Sequence, residues 1–509
     1  MNRREFVSTS IAVLGSLSAA AAATPSTGAA TQEVLIRPQH SLGAFPHYWE
    51  ACAGSGHAVL ALRSEWQRDL ELAHREAGIR AVRFHGLLDD DMAVCTGVDA
   101  SGPQTNFIFV DQIYDHMLET GVRPYVELSF MPGPMASSSD TVFWYRGNTS
   151  PPRRMGDWQR LIAALGRHLV ERYGLAEVAR WRFECWNEPN LNFWSGSQQQ
   201  YFELYRHTAA ALKSVSPRLQ VGGPACAMMM WIPEFLAACA RHGTPVDFVS
   251  GHIYPDDPQE NIFGRAHAFP RDQVMPRAMR QANEQIRDSA YPEVPLVVSE
   301  WSSTDPAFIA QMIRDCAGLT DTMSYWTFCN VFEEHGPNRR FMNDTYGLIG
   351  TREVPRPQFQ TFKLLRRLGE QRVLAAEGPV LATRRPDGSL AAIAWNLDAD
   401  RSHQPGMGNP LLKPHAEHLS RGQVKRLALN FEGLTGGTAL VTLVNPACDP
   451  VTEAYAAMGS PAYPTLTEIQ ALRNAGATQP SHRSSIDSGR LEIALEPGSV
   501  ALIELNAPE

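Results

Sequence analysis

The sequence is poor in paired cysteines, surplus charge, long apolar runs and glycine-rich phosphate motifs, and each shortage removes a class of protein. Its eight cysteines (Cys52, Cys95, Cys185, Cys226, Cys239, Cys316, Cys329 and Cys448) include no C-x-x-C pair, which excludes a disulfide scaffold and a zinc finger. The 45 lysines and arginines against 54 acidic residues leave a formal charge of −9 with no basic stripe, which argues against a nucleic-acid partner. Beyond the first 30 residues nothing approaches the roughly 18 consecutive apolar residues of a membrane helix, so the mature chain is expected to be soluble with no membrane partner. No G-x-G-x-x-G occurs and no metal-ligand set stands out, so neither a metal nor a cofactor is expected.

What is present is aromatic. Eleven tryptophans, 13 tyrosines and 21 phenylalanines suffice for a large core with rings left over to line a cleft. The length of 509 residues predicts two or three domains. The first 30 residues read as a targeting segment. Arg3 and Arg4 precede the apolar run Ile11–Leu17, and the small-residue tract Ser18–Ala23 follows. A short apolar core with a basic flank and an Ala-x-Ala end is an export signal. Paired arginines ahead of Phe6 and Val7 place it in the twin-arginine class, with a periplasmic or secreted product.

From residue 40 to 369, strand-like and helix-like segments alternate. Ser64 and Gln67 form a capping-box pattern, and Trp66, Leu70, Ala73 and Ala77 recur at helical spacing until Gly78. The apolar run Arg80–Gly86 follows. The rhythm repeats through Pro124–Phe130, Trp181–Trp186, Gln220–Pro224, Asp247–Tyr254, Pro295–Ser299 and Met323–Cys329, and a first strand is expected near Ser41–Tyr48. Eight such units of about 40 residues fit a (β/α)8 TIM barrel. With no glycine-rich turn, an open nucleotide-binding sheet is the weaker reading.

After Leu368-Gly369 the helical spacing is expected to stop. Val380–Arg384, Leu390–Asn396, Gly437–Val444, Leu491–Leu495 and Ser499–Leu505 are short runs between Gly, Pro, Asn and Asp, which predicts a C-terminal antiparallel β-sandwich over 370–509. Residues 31–39 are expected to add an N-terminal strand to it, and 399–422 to form an exposed loop. Structural support of the barrel is the expected role of this module.

Two carboxylates sit where barrel chemistry happens. Glu188, in Trp186-Asn187-Glu188-Pro189-Asn190, follows the fourth strand, and Glu300, before Trp301, ends the seventh. Active sites of such barrels lie at the C-terminal ends of the strands, so both glutamates are expected in one cleft. Glycosidic cleavage needs a proton for the leaving oxygen and a carboxylate opposite the anomeric carbon; a carboxyl separation near 5–5.5 Å means retention of configuration. Asn187 can hydrogen-bond the sugar hydroxyl beside that carbon. Trp186, Trp301, Tyr254 and Trp326 can stack on sugar faces.

These residues carry a resemblance. FECWNEPNLNFW (183–194) resembles the acid/base signature of glycoside hydrolase family 39, a (β/α)8 family of retaining enzymes. VRFHG (82–86), DDDM (89–92), VELSFMP (126–132), GHIYP (251–255), VVSEW (297–301) and YWTFCNVFEE (325–334) are similar to the β-xylosidases of that family, in the same order. The resemblance implies that Glu188 is the general acid/base and Glu300 the nucleophile. It implies that His85, Asn187, His252, Tyr254 and Glu333 bind the sugar of a glycoside or oligosaccharide substrate. The negative charge of Glu300 is expected to raise the pKa of Glu188.

The sequence also departs from the family. Cys329-Asn330 stand where its β-xylosidases read Ser-Asp, and the stretch 336–347 lacks their glycine-rich run. The basic side chain that iduronidases of the family need for a substrate carboxylate has no counterpart at Tyr254. A β-D-xylosidase is the expected activity. Other retaining glycosidases (a β-glucosidase, an α-L-arabinopyranosidase, an exopolysaccharide endo-hydrolase) and a non-catalytic sugar-binding protein are the alternatives.

Overall fold

Short strands that are buried on both faces are satisfied when their edges pair with neighbours, one face fills a barrel interior and the other packs under covering helices. In the computed structural model, eight such strands form a closed parallel barrel: Ala53–His57, Ala81–His85, Arg123–Leu128, Arg182–Cys185, Gln220–Cys226, Phe248–His252, Leu296–Trp301 and Thr322–Tyr325, in that order around the ring. The structure describes residues 30–397 and 422–506, apart from positions 266, 268, 339, 343–346 and 478. The export-signal segment and nearly all of the 399–422 loop lie outside the described residues.

The expected first strand is displaced. Ser41–Ala44 ends a long strand, Gln32–Ala44, that pairs antiparallel with Gln371–Ala375 and parallel with Lys425–Phe431. The barrel strand is Ala53–His57, whose sequence AGSGH is small and weakly patterned. The first of its two glycines is required: a Cβ on Gly54 would drive into the ring of Trp326. Ser64 begins the first helix rather than capping it, since Arg63 is the N-cap and no side-chain cap bond forms.

The C-terminal strands do not form a purely antiparallel sandwich. Nine strands, including Gln32–Ala44, make one sheet whose hydrogen-bonded ladder closes on itself, and its Gln32–Ala44/Lys425–Phe431 seam is parallel. The reason is topological: the chain enters the sheet before the barrel and returns after it. Three strands escaped the sequence pattern, Gln371–Ala375, Lys425–Phe431 and Ser481–Asp487. Helices also continue beyond 369, at Pro450–Ala457 and Leu466–Ala477. The first is capped by Asp449, whose side chain accepts from the Thr452 N–H, with Pro450 at the first helical position.

Period-two alternation joins sheet and barrel. Val380, Ala382, Leu390, Ala392 and Ala394 face the sheet's own core, while Leu381, Ala391, Ile393 and Trp395 join the barrel core. The Trp395 indole N–H donates to Gln311 at 3.1 Å, and the Arg314 guanidinium lies 4.9 Å from its ring centroid. Among the described residues, no helix is long and apolar enough to cross a membrane.

Candidate active site

The barrel's C-terminal ends are where strand register is broken. Shifts fall between Ser55 and His57, between Gly251 and His252, and between Val298 and Trp301. Such irregularities re-aim side chains. Here they turn His252 and Glu300 toward the barrel axis as cross-strand partners. Backbone strain gathers at the same rim: Trp186 and Glu188 have φ of 70° and 43°, and Ala225, Met228, Met229 and Trp231 are also left-handed. The Glu188 N–H donates to the Ala225 carbonyl at 2.9 Å, which fixes the turn.

Arg83 is the hub. It is fully buried on the second strand, and its Nε donates to Glu184 at 2.5 Å. Nη1 donates to Glu300 Oε1 at 2.7 Å; Nη2 reaches Asn187 Oδ1 and Glu127 Oε2, both at 2.9 Å. Burial alone would lower its pKa, but Glu127, Glu184 and Glu300 hold it well above the ordinary value. Arg83→Met leaves three carboxylates buried without their cation. It is expected to cost about 3–5 kcal/mol, read as a fall in Tm by thermal unfolding.

Glu188 and Glu300 meet. Together with His252 they offer ligand-type atoms all within 4.8 Å of one another. His252 Nδ1 lies 2.9 Å from Glu188 Oε1 and 3.5 Å from Glu300 Oε2. The Tyr254 hydroxyl donates to Glu300 Oε2 at 2.9 Å. Burial pushes the Glu188 carboxyl up to about 7; Arg83 opposes this and the Glu127 charge adds to it. Burial and Glu127, rather than Glu300 as expected from the sequence, therefore raise it. Arg83 and the Tyr254 hydroxyl each donate to one oxygen of Glu300. His85 stands across the pocket, its Nε2 3.7 Å from Glu300 Oε1 and 3.5 Å from Glu334 Oε1. The Trp326 ring lies 4.6 Å from the His85 ring.

Three sequence-based assignments come out differently. Glu333 points to the rim, where it pairs with Arg63 at 2.6 Å; its neighbour Glu334 is the buried carboxyl facing His85. Trp301 is wholly buried behind the strand, donating to the Met323 carbonyl and packing edge-on against Tyr325. With Glu300 facing in, its strand neighbour must face out. Trp186 is also core, its indole N–H held by the Phe193 carbonyl. Cys329 is buried in the barrel core, and Asn330 is buried beside Gly347 and Asn338. His85, Asn187, His252, Tyr254 and Trp326 all gather around the two glutamates.

Sequence reasoning missed Arg83, Glu127, Glu184 and Glu334. All four stood inside quoted motifs, and for the first three a charge inside an apolar strand run was the available signal. A second cluster, His57 with Asp89 at 3.1 Å and Asp91 at 3.3 Å, has cation-binding composition. Burial disfavours charge on His57, yet the two aspartates raise its pKa to about 9, so the imidazolium is itself the cation there.

Residues 32–492 match the model of glycosyl hydrolases family 39. The chain belongs to this family. It is 33% identical over 499 residues to a β-xylosidase of Geobacillus stearothermophilus, covering 93% of this chain and 95% of that one. It is 39% identical over 364 residues to a β-xylosidase of Caldicellulosiruptor saccharolyticus, covering 67% of this chain and 72% of that one. The crystal structure of a monomeric β-xylosidase from Caulobacter crescentus superposes with a TM-score of 0.80 at 30% identity, covering 94% of this chain and all of that one. The family 39 protein is thus a glycoside hydrolase by sequence and by fold.

Proposed function

We propose that this family 39 protein is a retaining β-D-xylosidase that releases xylose from xylo-oligosaccharides, with Glu300 as nucleophile and Glu188 as acid/base. One observation carries the mechanism: carboxylate oxygens of Glu188 and Glu300 within 4.8 Å of one another at the barrel mouth. That spacing leaves no room for a water between carboxylate and sugar, as inversion would need, and suits a covalent glycosyl-enzyme. The choice of xylose is supported by the motif resemblance and by the β-xylosidase relatives.

Ionised Glu300 attacks the anomeric carbon as Glu188 gives its proton to the departing oxygen. Glu188, now a carboxylate, takes a proton from water, whose oxygen displaces Glu300 from the same carbon. Two inversions give retention. Asn187, His85, His252, Trp326 and Glu334 enclose the sugar in this reading. Tyr254, with its hydroxyl on Glu300 Oε2, presents no cation for a substrate carboxylate, which disfavours a uronide.

A panel of nitrophenyl β-xyloside, β-glucoside and α-L-arabinopyranoside is expected to show the xyloside turned over fastest. A leading glucoside or arabinoside rate would reassign the sugar; sugar binding without any hydrolysis would point to a non-catalytic protein. Proton NMR of the first product is expected to show β-xylose ahead of mutarotation. An initial α-anomer would contradict retention.

The same reading assigns 1–30 to a twin-arginine export signal, 40–369 to the catalytic barrel and 370–509, with the N-terminal strand, to a supporting sheet module with the two-layered character of a sandwich. A mature N-terminus just after Ala23, read from periplasmic material, is the expected result for the signal.

A further inference from the structure

Glu127 lies next to last in the third barrel strand, Arg123–Leu128, and is wholly buried. Three groups converge on it. Oε2 faces Arg83 Nη2 at 2.9 Å and His85 Nδ1 at 2.7 Å, while Oε1 accepts from the Ser129 hydroxyl. The far nitrogen of His85, Nε2, looks into the pocket toward Glu334 and Glu300.

We propose that Glu127 is a positioning residue that keeps the His85 proton on Nδ1, so that Nε2 presents a lone pair to the pocket and accepts a hydrogen bond from a sugar hydroxyl. Which imidazole nitrogen holds the proton is set by the hydrogen bond that the other makes. This inference deepens the proposed glycosidase reading and rests on it for the identity of the hydroxyl, but the tautomer itself is independent of substrate.

Burial pushes His85 down to about 3, so the ring is neutral and carries one proton. Burial also pushes Glu127 up to about 8, against the opposing pull of Arg83 and Ser129. Its charge state does not change the outcome. A guanidinium always donates, so Arg83 keeps Oε2 an acceptor. A proton on Glu127 therefore enters at Oε1, where the Ser129 hydroxyl can turn and accept it. In both states Oε2 accepts from His85 Nδ1–H.

The opposite tautomer would harm the pocket. Glu300 already takes Arg83 on Oε1 and Tyr254 on Oε2. An Nε2–H aimed at the same carboxylate would add a third donor and blunt the nucleophile. With the lone pair outward, His85 Nε2 and Glu334 Oε1, an oxygen without a hydrogen-bond partner among the described residues, are 3.5 Å apart. Burial, with the charges of Glu300, Glu188 and Glu127, holds the Glu334 carboxyl well above its ordinary pKa, so bare His85 Nε2 and Glu300 are the acceptors that ask for hydroxyl donors, the chemistry a sugar ring supplies.

Selective 15N-histidine NMR of the intact wild-type enzyme, with the His85 signals assigned from a His85→Gln sample, is expected to show protonated Nδ1 and bare Nε2. A protonated Nε2 in the wild type overturns the proposal without recourse to any variant. Glu127→Ala is expected to move the proton to Nε2 and to lower kcat/KM by about 30-fold, the scale of one charge-assisted hydrogen bond. Glu127→Gln, whose amide oxygen can still accept from Nδ1–H, is expected to keep the wild-type tautomer and recover most of the activity. Across monodeoxy nitrophenyl xylosides, one deletion should erase the Glu127→Ala penalty. A penalty unchanged on every deoxy substrate, or an alanine variant that retains the Nδ1–H tautomer, refutes the role. If no glycoside is hydrolysed at all, the functional reading fails while the NMR result still decides the tautomer.

Discussion

Glu300→Ala is expected to lower turnover of nitrophenyl β-xyloside by on the order of 10^5-fold, the scale seen when a covalent nucleophile is removed. The residue is next to last in the seventh strand, 5% exposed, with Arg83 at 2.7 Å and the Tyr254 hydroxyl at 2.9 Å holding its two oxygens in place. Alanine leaves a hole about the size of a small anion, lined by those two donors. Azide is expected to enter it and restore part of the rate. Attack from the Glu300 face gives the α-xylosyl azide by a single displacement, identified by NMR. Wild-type turnover in the variant would remove Glu300 from this role, and a β-azide product would mean that azide had used the opposite face.

Glu188→Gln should lower kcat/KM on xylobiose by about 10^2–10^4-fold, the usual worth of a positioned general acid. Glutamine keeps the shape but has no proton to give. A dinitrophenyl xyloside, whose leaving group departs as a stable anion, should lose far less in the first step, and the covalent intermediate should accumulate because water activation is also lost. The pH dependence tests the same group. Burial raises Glu188 to about 7, so its protonated, active form prevails below that pH and disappears above it. Wild-type kcat/KM is therefore expected to fall as pH rises through about 7. The glutamine variant should lack that alkaline limb. An unchanged limb would assign the titration to another group, with Glu127, raised to about 8, first among them.

Seven of the eight barrel strands were legible because apolar runs bounded by helical spacing leave few alternatives. The eighth was not. AGSGH carries no β-branched or aromatic residue, and it is a strand because its neighbours on both sides are. The stronger pattern just before it belongs to the other sheet. The missed helix Pro450–Ala457 had its signal in plain view, an aspartate cap followed by proline. Trp301 was also decidable. Alternation puts neighbours on opposite faces, so a strand that aims Glu300 inward buries the tryptophan outward. Glu333 and Glu334 offered no such rule, because they lie in a loop without period, and only the packing of Arg63 on one and His85 beside the other separates them.

Sequence alone determined the alternating barrel, the family, and the two glutamates at strand ends, because periodicity and motif spacing are local properties that survive without coordinates. Tertiary structure decided the rest. Arg83, Glu127 and Glu184 come from three different strands, and nothing local requires a buried guanidinium to meet three buried carboxylates. Their charges are tolerable only because ring closure brings them within hydrogen-bonding distance, where each offsets the desolvation of the others. The same closure sets the proton affinity of Glu188, which depends on how much water the assembled mouth excludes rather than on any residue beside it in the chain.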